Sequence, residues 1–325
     1  MSDKIGKNIV VTGGAGFIGF HLSKRLLELG HKVTIIDNLS DYYNTKLKND
    51  RLAEITENPN ITIHEIDISK PQELNDIFKN NNFDLVYHIA AQPGVRYSFE
   101  NPEVYLTTNI EGTNNILELM VKYKIKNIIF ASSSSVYGNS DKESFSEDDN
   151  TSNPVSLYAV TKLTCESLLK YYHHQYNLNV IAFRFFTVYG PWGRPDMAPF
   201  LFTEKISKGK EIDVYNNGKH QRDFTYIDDI IEGNIKALDV IKDGMFEIIN
   251  LGNSKSIELE YFISVIEKEL NQTAKKNYLP MQPGDVVKTS ADISKAKELL
   301  NWQPTTSIEV GMNKFINWYK DYFKI

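Results

Sequence analysis

Apolar residues fall in short β-branched runs separated by amphipathic stretches through the first half of the chain. The runs at 8–11, 32–36, 61–66, 84–90 and 126–132 are bounded by turn residues and read as buried strands. Between the first two, Phe17, Ile18, Leu22, Leu26 and Leu29 share one helical face, and Gly30 supplies a stop. Helices are expected near 104–123 and over 156–176, the latter leading into a sixth strand at 179–185. Parallel strands need crossovers, so this alternation predicts an α/β fold built on a doubly wound parallel sheet. After Gly190 the elements shorten: helices near 199–208, 227–241, 257–270, 293–300 and 308–322, with strands at 212–215 and 246–251. The change of character predicts one domain over 1–190 and a smaller α/β lobe over 191–325. Elements at about 222–251 are free to return to the first sheet.

Composition narrows the class. At 325 residues the chain suits two units, given roughly 150 residues per domain. With 41% hydrophobic and 24% charged residues it is not a disordered chain. A net charge of −6 lacks the basic excess that sequence-independent nucleic-acid binding needs. No apolar run reaches the ~18 residues of a membrane span, and the first residues lack a signal-peptide core. A single cysteine, Cys165, rules out an intramolecular disulfide and fits a reducing cytoplasm. Without an HExxH or a cysteine cluster, no metal is expected.

The first strand runs into Thr12-Gly13-Gly14-Ala15-Gly16-Phe17-Ile18-Gly19, which satisfies GxGxxG and GxxGxxG at once. Glycines there permit a tight turn and a close backbone approach, so that a pyrophosphate can sit on the amides opening the helix. By itself the pattern describes any glycine-rich turn. Its context is more specific: Asp37 ends the second strand, 18 residues beyond Gly19. A carboxylate there accepts bonds from ribose hydroxyls and repels a 2′-phosphate, which predicts NAD rather than NADP on a Rossmann-type sheet.

Tyr158 and Lys162 form a YxxxK pair on one helical face. Alone, such a pair is usually an exposed Tyr and Lys. Here it follows four serines, 132–135, at the carboxyl end of the fifth strand, where open α/β sheets place ligands. A free phenol titrates near ~10, and an adjacent ammonium favours its phenolate, which makes Tyr158 a candidate general base.

TGGAGFIG, SSSSVYG and YAVTK together resemble the extended short-chain dehydrogenase/reductase superfamily over essentially the whole chain. Within it, DNLSDYYNTKLKNDRL, AAQPGVRYSFENP, NPVSLYAVTK, RFFTVYGPWGRPDMAPFLF, RDFTYIDD and LPMQPGDV, in that order, resemble the UDP-glucuronate 4-epimerases and related capsule-biosynthesis epimerases. The resemblance implies an NAD-binding domain followed by a UDP-sugar-binding lobe. It assigns Gly13, Gly16, Phe17, Ile18 and Gly19 to the pyrophosphate, and Asp37 and Asn38 to the adenosine ribose. Asp67 and Ile68 would flank the adenine, while Ala90, Ala91, Gln92 and Asn109 would line the nicotinamide side. Tyr158 would be the base and Lys162 its partner on the nicotinamide ribose. The family's catalytic hydroxyl lies four positions before the VYG tyrosine, which selects Ser133, with Ser134 and Ser135 close enough to leave the choice open by a position.

Departures from neighbouring branches narrow the reaction. The 4,6-dehydratases carry an Asp-Glu pair where this chain has serines, so elimination of water is disfavoured. Thr187 and Gln282 stand where UDP-galactose epimerases carry asparagine and often arginine, and both match the uronate branch. Arg96 and Arg194 are the cationic candidates for a uronate carboxylate, with further donors in Ser133, Ser134, Ser135 and Thr187. By the same resemblance Arg222 would hold the diphosphate, Asp285 a ribose, and Val214 and Tyr215 the uracil. These parts imply an isomerase that passes through a transient 4-keto sugar. The alternatives are a 4-epimerase of UDP-N-acetylhexosamines or UDP-hexoses, a UDP-glucuronate decarboxylase, or a non-catalytic nucleotide sensor. A cytoplasmic homodimer, paired through the helices near 104–123 and 156–176, is expected by analogy with relatives.

Overall fold

Runs of Val and Ile too short to span a helix become the strands of a central sheet, and the amphipathic stretches become its crossovers. A computed structural model describes residues 6–139, 142–282 and 285–325. In chain order it begins with β1 (Asn8–Thr12), α1 (Phe17–Glu28), β2 (Lys32–Asp37), α2 (Thr45–Ala53), β3 (Ile61–Glu65), α3 (Pro71–Asn80) and β4 (Leu85–His88). Next come α4 (Tyr97–Glu100), α5 (Pro102–Tyr105), α6 (Gly112–Lys122), β5 (Asn127–Ser133), α7 (Leu157–Tyr176), β6 (Asn179–Phe185) and β7 (Thr187–Tyr189). The remainder is α8 (Ala198–Ser207), β8 (Glu211–Tyr215), β9 (Gln221–Tyr226), α9 (Ile227–Val240), β10 (Phe246–Leu251), β11 (Ser256–Glu258), α10 (Leu259–Leu270), β12 (Lys275–Leu279), α11 (Ser294–Leu300) and α12 (Ile308–Phe323).

These elements form two compact units. The first is the chain up to Val136 with Ser156–Arg184 and Asn234–Ile249; the second is Tyr137–Val155, Phe185–Gly233 and Asn250–Ile325. The first is organised on a seven-stranded sheet ordered β3-β2-β1-β4-β5-β6-β10. From β3 to β5 every neighbouring pair is parallel. One face is sealed by Leu74, Ile77 and Phe78 of α3, Ile116, Leu117 and Met120 of α6, and Cys165, Leu169 and Tyr172 of α7, against Val10, Val86, Ile128 and Val180. Burying each such aliphatic side chain contributes about 1.5–3 kcal/mol. Strand order reverses direction between β1 and β4, and such a switch point opens a crevice beyond the carboxyl ends of the two strands. The mixed α/β, Rossmann-type architecture expected from the hydrophobic pattern is therefore present.

The second unit carries a three-stranded sheet ordered β11-β9-β7 and a two-stranded sheet of β12 and β8. Here the structure departs from the pattern. The stretch 257–270 reads as one helix, but Ser256–Glu258 pairs antiparallel with β9, with Ile257 opposite Arg222, and the helix starts only at Leu259. The helix expected near 104–123 is likewise interrupted: Leu106–Glu111 winds as a π-helix before α6 begins. Among the described residues, no helix is long and apolar enough to cross a membrane.

Candidate active site

The glycine loop is shaped by what its glycines avoid. Gly13 has φ +73°, and a Cβ there would come within 2.7 Å of the Ala90 backbone; at Gly19 it would lie 2.1 Å from the Gly13 carbonyl oxygen. β1 and α1 can thus approach one another and the end of β4 only without side chains at these positions. No side chain caps α1 at Gly16, and no acid lies in its first turn, so nothing local competes for the amides that include Phe17 and Ile18. A helix N-terminus bare of its own caps fits a pyrophosphate.

Asp37, at the end of β2, is 8% exposed. Its Oδ2 accepts from the Ala15 amide at 3.0 Å and its Oδ1 from the Leu39 amide at 2.9 Å, so it stands against the glycine loop. Arg51, fully buried on α2, donates to the Ala15 carbonyl at 2.9 Å and to the Tyr43 hydroxyl at 2.8 Å. Lys48 donates to Ser40 Oγ at 3.0 Å and lies 4.0 Å from Asp37 Oδ1. Burial holds its ammonium below the usual lysine range against the opposing pull of Asp37. Asn38 donates to Asp67 at 2.8 Å, which joins the ends of β2 and β3. Burial pushes the Asp67 carboxyl up, but bonds from Ser69 and Asn38 and the charge of Lys70 outweigh it and hold it below the ordinary value. Ile68 beside it is packed into the core.

Beyond β4, Ala90 and Ala91 are half-buried and Gln92 is buried. The Gln92 amide donates to Asn109 Oδ1 at 2.7 Å, while Asn109 Nδ2 donates to the Gln92 carbonyl at 3.1 Å and to Thr161 Oγ1 at 3.0 Å. Asn109 lies within the π-helix and thereby ties the 90–92 segment to α7. Arg96 is exposed at the start of α4.

Helix α7 is fixed at its origin by Ser156, whose side chain accepts from the Ala159 amide at 3.1 Å. Tyr158 is half-buried, with its ring 6.1 Å from that of Tyr105. Lys162 is 3% exposed; its ammonium donates to the Ala131 carbonyl at 2.7 Å and lies over the Phe130 ring. That bond places α7 against the carboxyl end of β5. There Ser133 Oγ donates to Ser135 Oγ at 3.2 Å and accepts from the Ser135 amide at 3.2 Å, as Ser134 opens a 3-10 turn. Ser132 is turned away and donates instead to Glu166, so the open hydroxyls are those of Ser133, Ser134 and Ser135.

In the second unit, Thr187 opens β7 opposite Phe224 of β9, two residues beyond Arg222 on the same face. Arg222 donates to the carbonyls of Gln221 and Val287 at 3.0 and 3.1 Å, which sets it beside the segment that begins at Asp285. Pro283 and Gly284 of the QPGD motif lie outside the described residues. Arg194 forms a two-pronged pair with Asp196, Nε to Oδ1 at 3.0 Å and a terminal nitrogen to Oδ2 at 2.5 Å. Val214 is fully buried within the β8–β12 pair, while Tyr215 beside it is partly exposed.

The hydrophobic and motif patterns do not single out His88, which ends β4 between β1 and β5. Thr12 Oγ1 accepts from the Ala90 amide and sits 2.7 Å from His88 Nδ1, and His88 Nε2 lies 3.0 Å from Thr113 Oγ1. Burial, reinforced by the charge of Lys162, lowers the imidazole pKa to about 3. The unfolded chain takes up a proton near pH 6.5 that the folded chain refuses until about 3, so stability is lost as pH falls through that window. The wild type should lose roughly 1 kcal/mol more per pH unit between pH 6 and 5 than His88→Asn does. Urea titrations at both pH values check this; equal slopes would remove the assignment.

Comparison with known proteins was consistent with this geometry. A family model described as the NAD dependent epimerase/dehydratase family matches residues 9–252. An uncharacterized protein of Methanocaldococcus jannaschii is 50% identical, with 96% of each chain covered. The UDP-glucuronate 4-epimerase of Thermodesulfobacterium geofontis is 44% identical, with 97% of each covered. The crystal structure of the UDP-glucuronic acid 4-epimerase of Bacillus cereus, in complex with UDP-glucuronic acid and NAD, superposes with a TM-score of 0.92 at 37% identity, covering 97% of this chain and 99% of that one.

Proposed function

This chain belongs to the NAD-dependent epimerase/dehydratase family, and from that membership we propose that it is an isomerase interconverting UDP-glucuronate and UDP-galacturonate. The observation that carries the reading is the bond from Lys162 to Ala131, which sets Tyr158 and its helix against a strand end lined by Ser133, Ser134 and Ser135. No carboxylate interrupts Ala131–Tyr137, so the acid and base that a dehydratase needs are absent from that segment.

NAD, held by the glycine loop and Asp37, supplies when bound a hydride acceptor at C4 of the sugar and the same hydride for return to the opposite face. Tyr158 accepts the C4 hydroxyl proton and later gives it back, and Lys162, one turn along the helix, anchors that helix to β5. The 4-keto sugar formed from a uronate is a β-keto acid, which loses CO2 readily when its carboxylate is desolvated and free. Candidate donors for that carboxylate are Ser133, Ser134 and Ser135 in the first unit and Thr187 and Arg194 in the second, and a carboxylate held by donors resists the loss. Arg222 takes the diphosphate, Asp285 a ribose hydroxyl, and the Val214–Tyr215 segment the uracil. Arg96, exposed at the head of α4, is the weaker candidate for the carboxylate.

Incubation with a panel of UDP-sugars and separation of the products tests the assignment. UDP-galacturonate should form reversibly from UDP-glucuronate with little UDP-pentose, and denatured enzyme should release about one NAD per chain. A UDP-pentose as main product would leave a decarboxylase. Preference for a neutral hexose would keep the epimerase and remove the uronate, and release of NADP would remove the role given to Asp37.

The enzyme acts in the cytoplasm, where its one cysteine stays free and buried, and as a homodimer. Val160 and Tyr171, three turns apart on one face of α7, are exposed, as is Leu106 of the π-helix, and a second copy would cover them. A monomer mass by sedimentation at micromolar concentration would remove the dimer.

A further inference from the structure

The reaction leaves one buried ion pair of the first unit unused. Glu166 lies one turn beyond Lys162 on α7 and is 6% exposed; Arg184 on β6 is 4% exposed. Glu166 Oε1 accepts from Arg184 Nε at 3.0 Å and from Ser132 Oγ at 2.6 Å, and Oε2 accepts from a terminal Arg184 nitrogen at 2.8 Å. Desolvating two charges is costly, and an apolar pair of the same volume is often as stable, so stability alone is a poor account of these residues.

Their geometry suggests another. Consecutive residues of β5 are tied to α7 one turn apart: the Ala131 carbonyl takes the Lys162 ammonium, and the Ser132 hydroxyl donates to Glu166. Core packing and the Asn109–Thr161 bond hold α7 to the sheet, and the two ties to consecutive β5 residues set its register along that strand. Ser133 is the next residue of that strand, and Tyr158 precedes Lys162 by one turn.

We propose that Glu166, braced by Arg184, is a positioning residue acting through Ser132, holding the Tyr158 phenol in register with the Ser133 hydroxyl for proton transfer at C4. The proposal rests on the reading of Tyr158 as the base. Glu166 touches neither sugar nor cofactor, so it should affect the chemical step and not binding.

The test compares wild type, Ser132→Ala, Glu166→Gln and the double variant for kcat, KM for UDP-glucuronate, bound dinucleotide and melting temperature. Ser132→Ala loses only one hydroxyl and serves if Glu166→Gln does not fold. Misplacement by a fraction of an ångström to 1 Å can cost up to ~10²-fold, so a kcat loss of roughly 10–100-fold is expected, with KM and dinucleotide content within about twofold. The double variant should be no slower than the slower single one, because both break one linkage. A lowered melting temperature with unchanged kcat per folded molecule, a rise in KM alone, or kcat losses that multiply would overturn the proposal. If the wild type leaves UDP-glucuronate untouched, the functional reading fails instead, and the same comparison is made on the UDP-sugar it does convert.

Discussion

Tyr158→Phe should lower turnover of UDP-glucuronate by ~10²–10⁴-fold, the range for loss of a general base, while leaving the fold and the bound dinucleotide intact. The structure explains why the two effects separate. The start of α7 is held by the Ser156 cap, and α7 is pinned to β5 by Lys162 and Glu166, none of which uses the phenolic oxygen. The contact with Tyr105 is made by the ring, which phenylalanine keeps. What disappears is the oxygen proposed to take the C4 proton, and Ala131–Tyr137 holds no carboxylate to stand in for it. Product formation, dinucleotide release and circular dichroism on a single preparation decide the matter. Activity within a few-fold of wild type would sink the role given to Tyr158, and loss of the dinucleotide would make that residue a cofactor anchor first.

The second large effect is expected at Arg194. Arg194→Ala should weaken use of UDP-glucuronate by about 1.5–3 kcal/mol, the worth of a charge-assisted hydrogen bond, which is roughly 10–150-fold in kcat/KM. A neutral UDP-hexose, lacking the carboxylate, should lose far less. The pair with Asp196 makes this comparison necessary. Two guanidinium nitrogens already serve Asp196, so the arginine also holds its own loop, and a substrate carboxylate would have to use the remaining donors or share these. Asp196 is itself 29% exposed, so leaving it without its arginine costs little in solvation. Equal losses on both sugars would mean that Arg194 only shapes the loop. A loss confined to the uronate would assign it to the carboxylate.

Much of the first unit is legible in the sequence because its signals are local. The glycine spacing of 13–19 reflects backbone sterics within a single turn: Gly19 must be bare because a Cβ would strike the Gly13 carbonyl a few residues away. The strand of Val10 and Val11 follows from a short β-branched run and the helix of Leu22 and Leu26 from a period of 3.6, and those residues are buried. The second unit is less legible because its strands are made by their partners. Gln221–Tyr226 mixes charge and aromatics without a clean alternation, and it is a strand because β7 lies along one side and β11 along the other. Ser256–Glu258 follows the same logic, since pairing with β9 outweighs the helical pattern that continues into Leu259.

The α/β order, the bare loop between β1 and α1, and the placing of Tyr158 and Lys162 on one face are all local properties, since each depends on neighbours in the chain and on the fixed geometry of helix and strand. What surrounds them comes from packing between distant segments. Glu166, Arg184 and His88 read in sequence as ordinary polar residues, yet each is buried, because β6 and β5 meet α7 and because β4 lies beside β1. The partner of Ser132 was decided the same way: its hydroxyl is taken by Glu166, 34 residues further on. A buried polar group must find a partner, and which partner it finds depends on how strands are ordered in a sheet, a property that no stretch of sequence around the group contains.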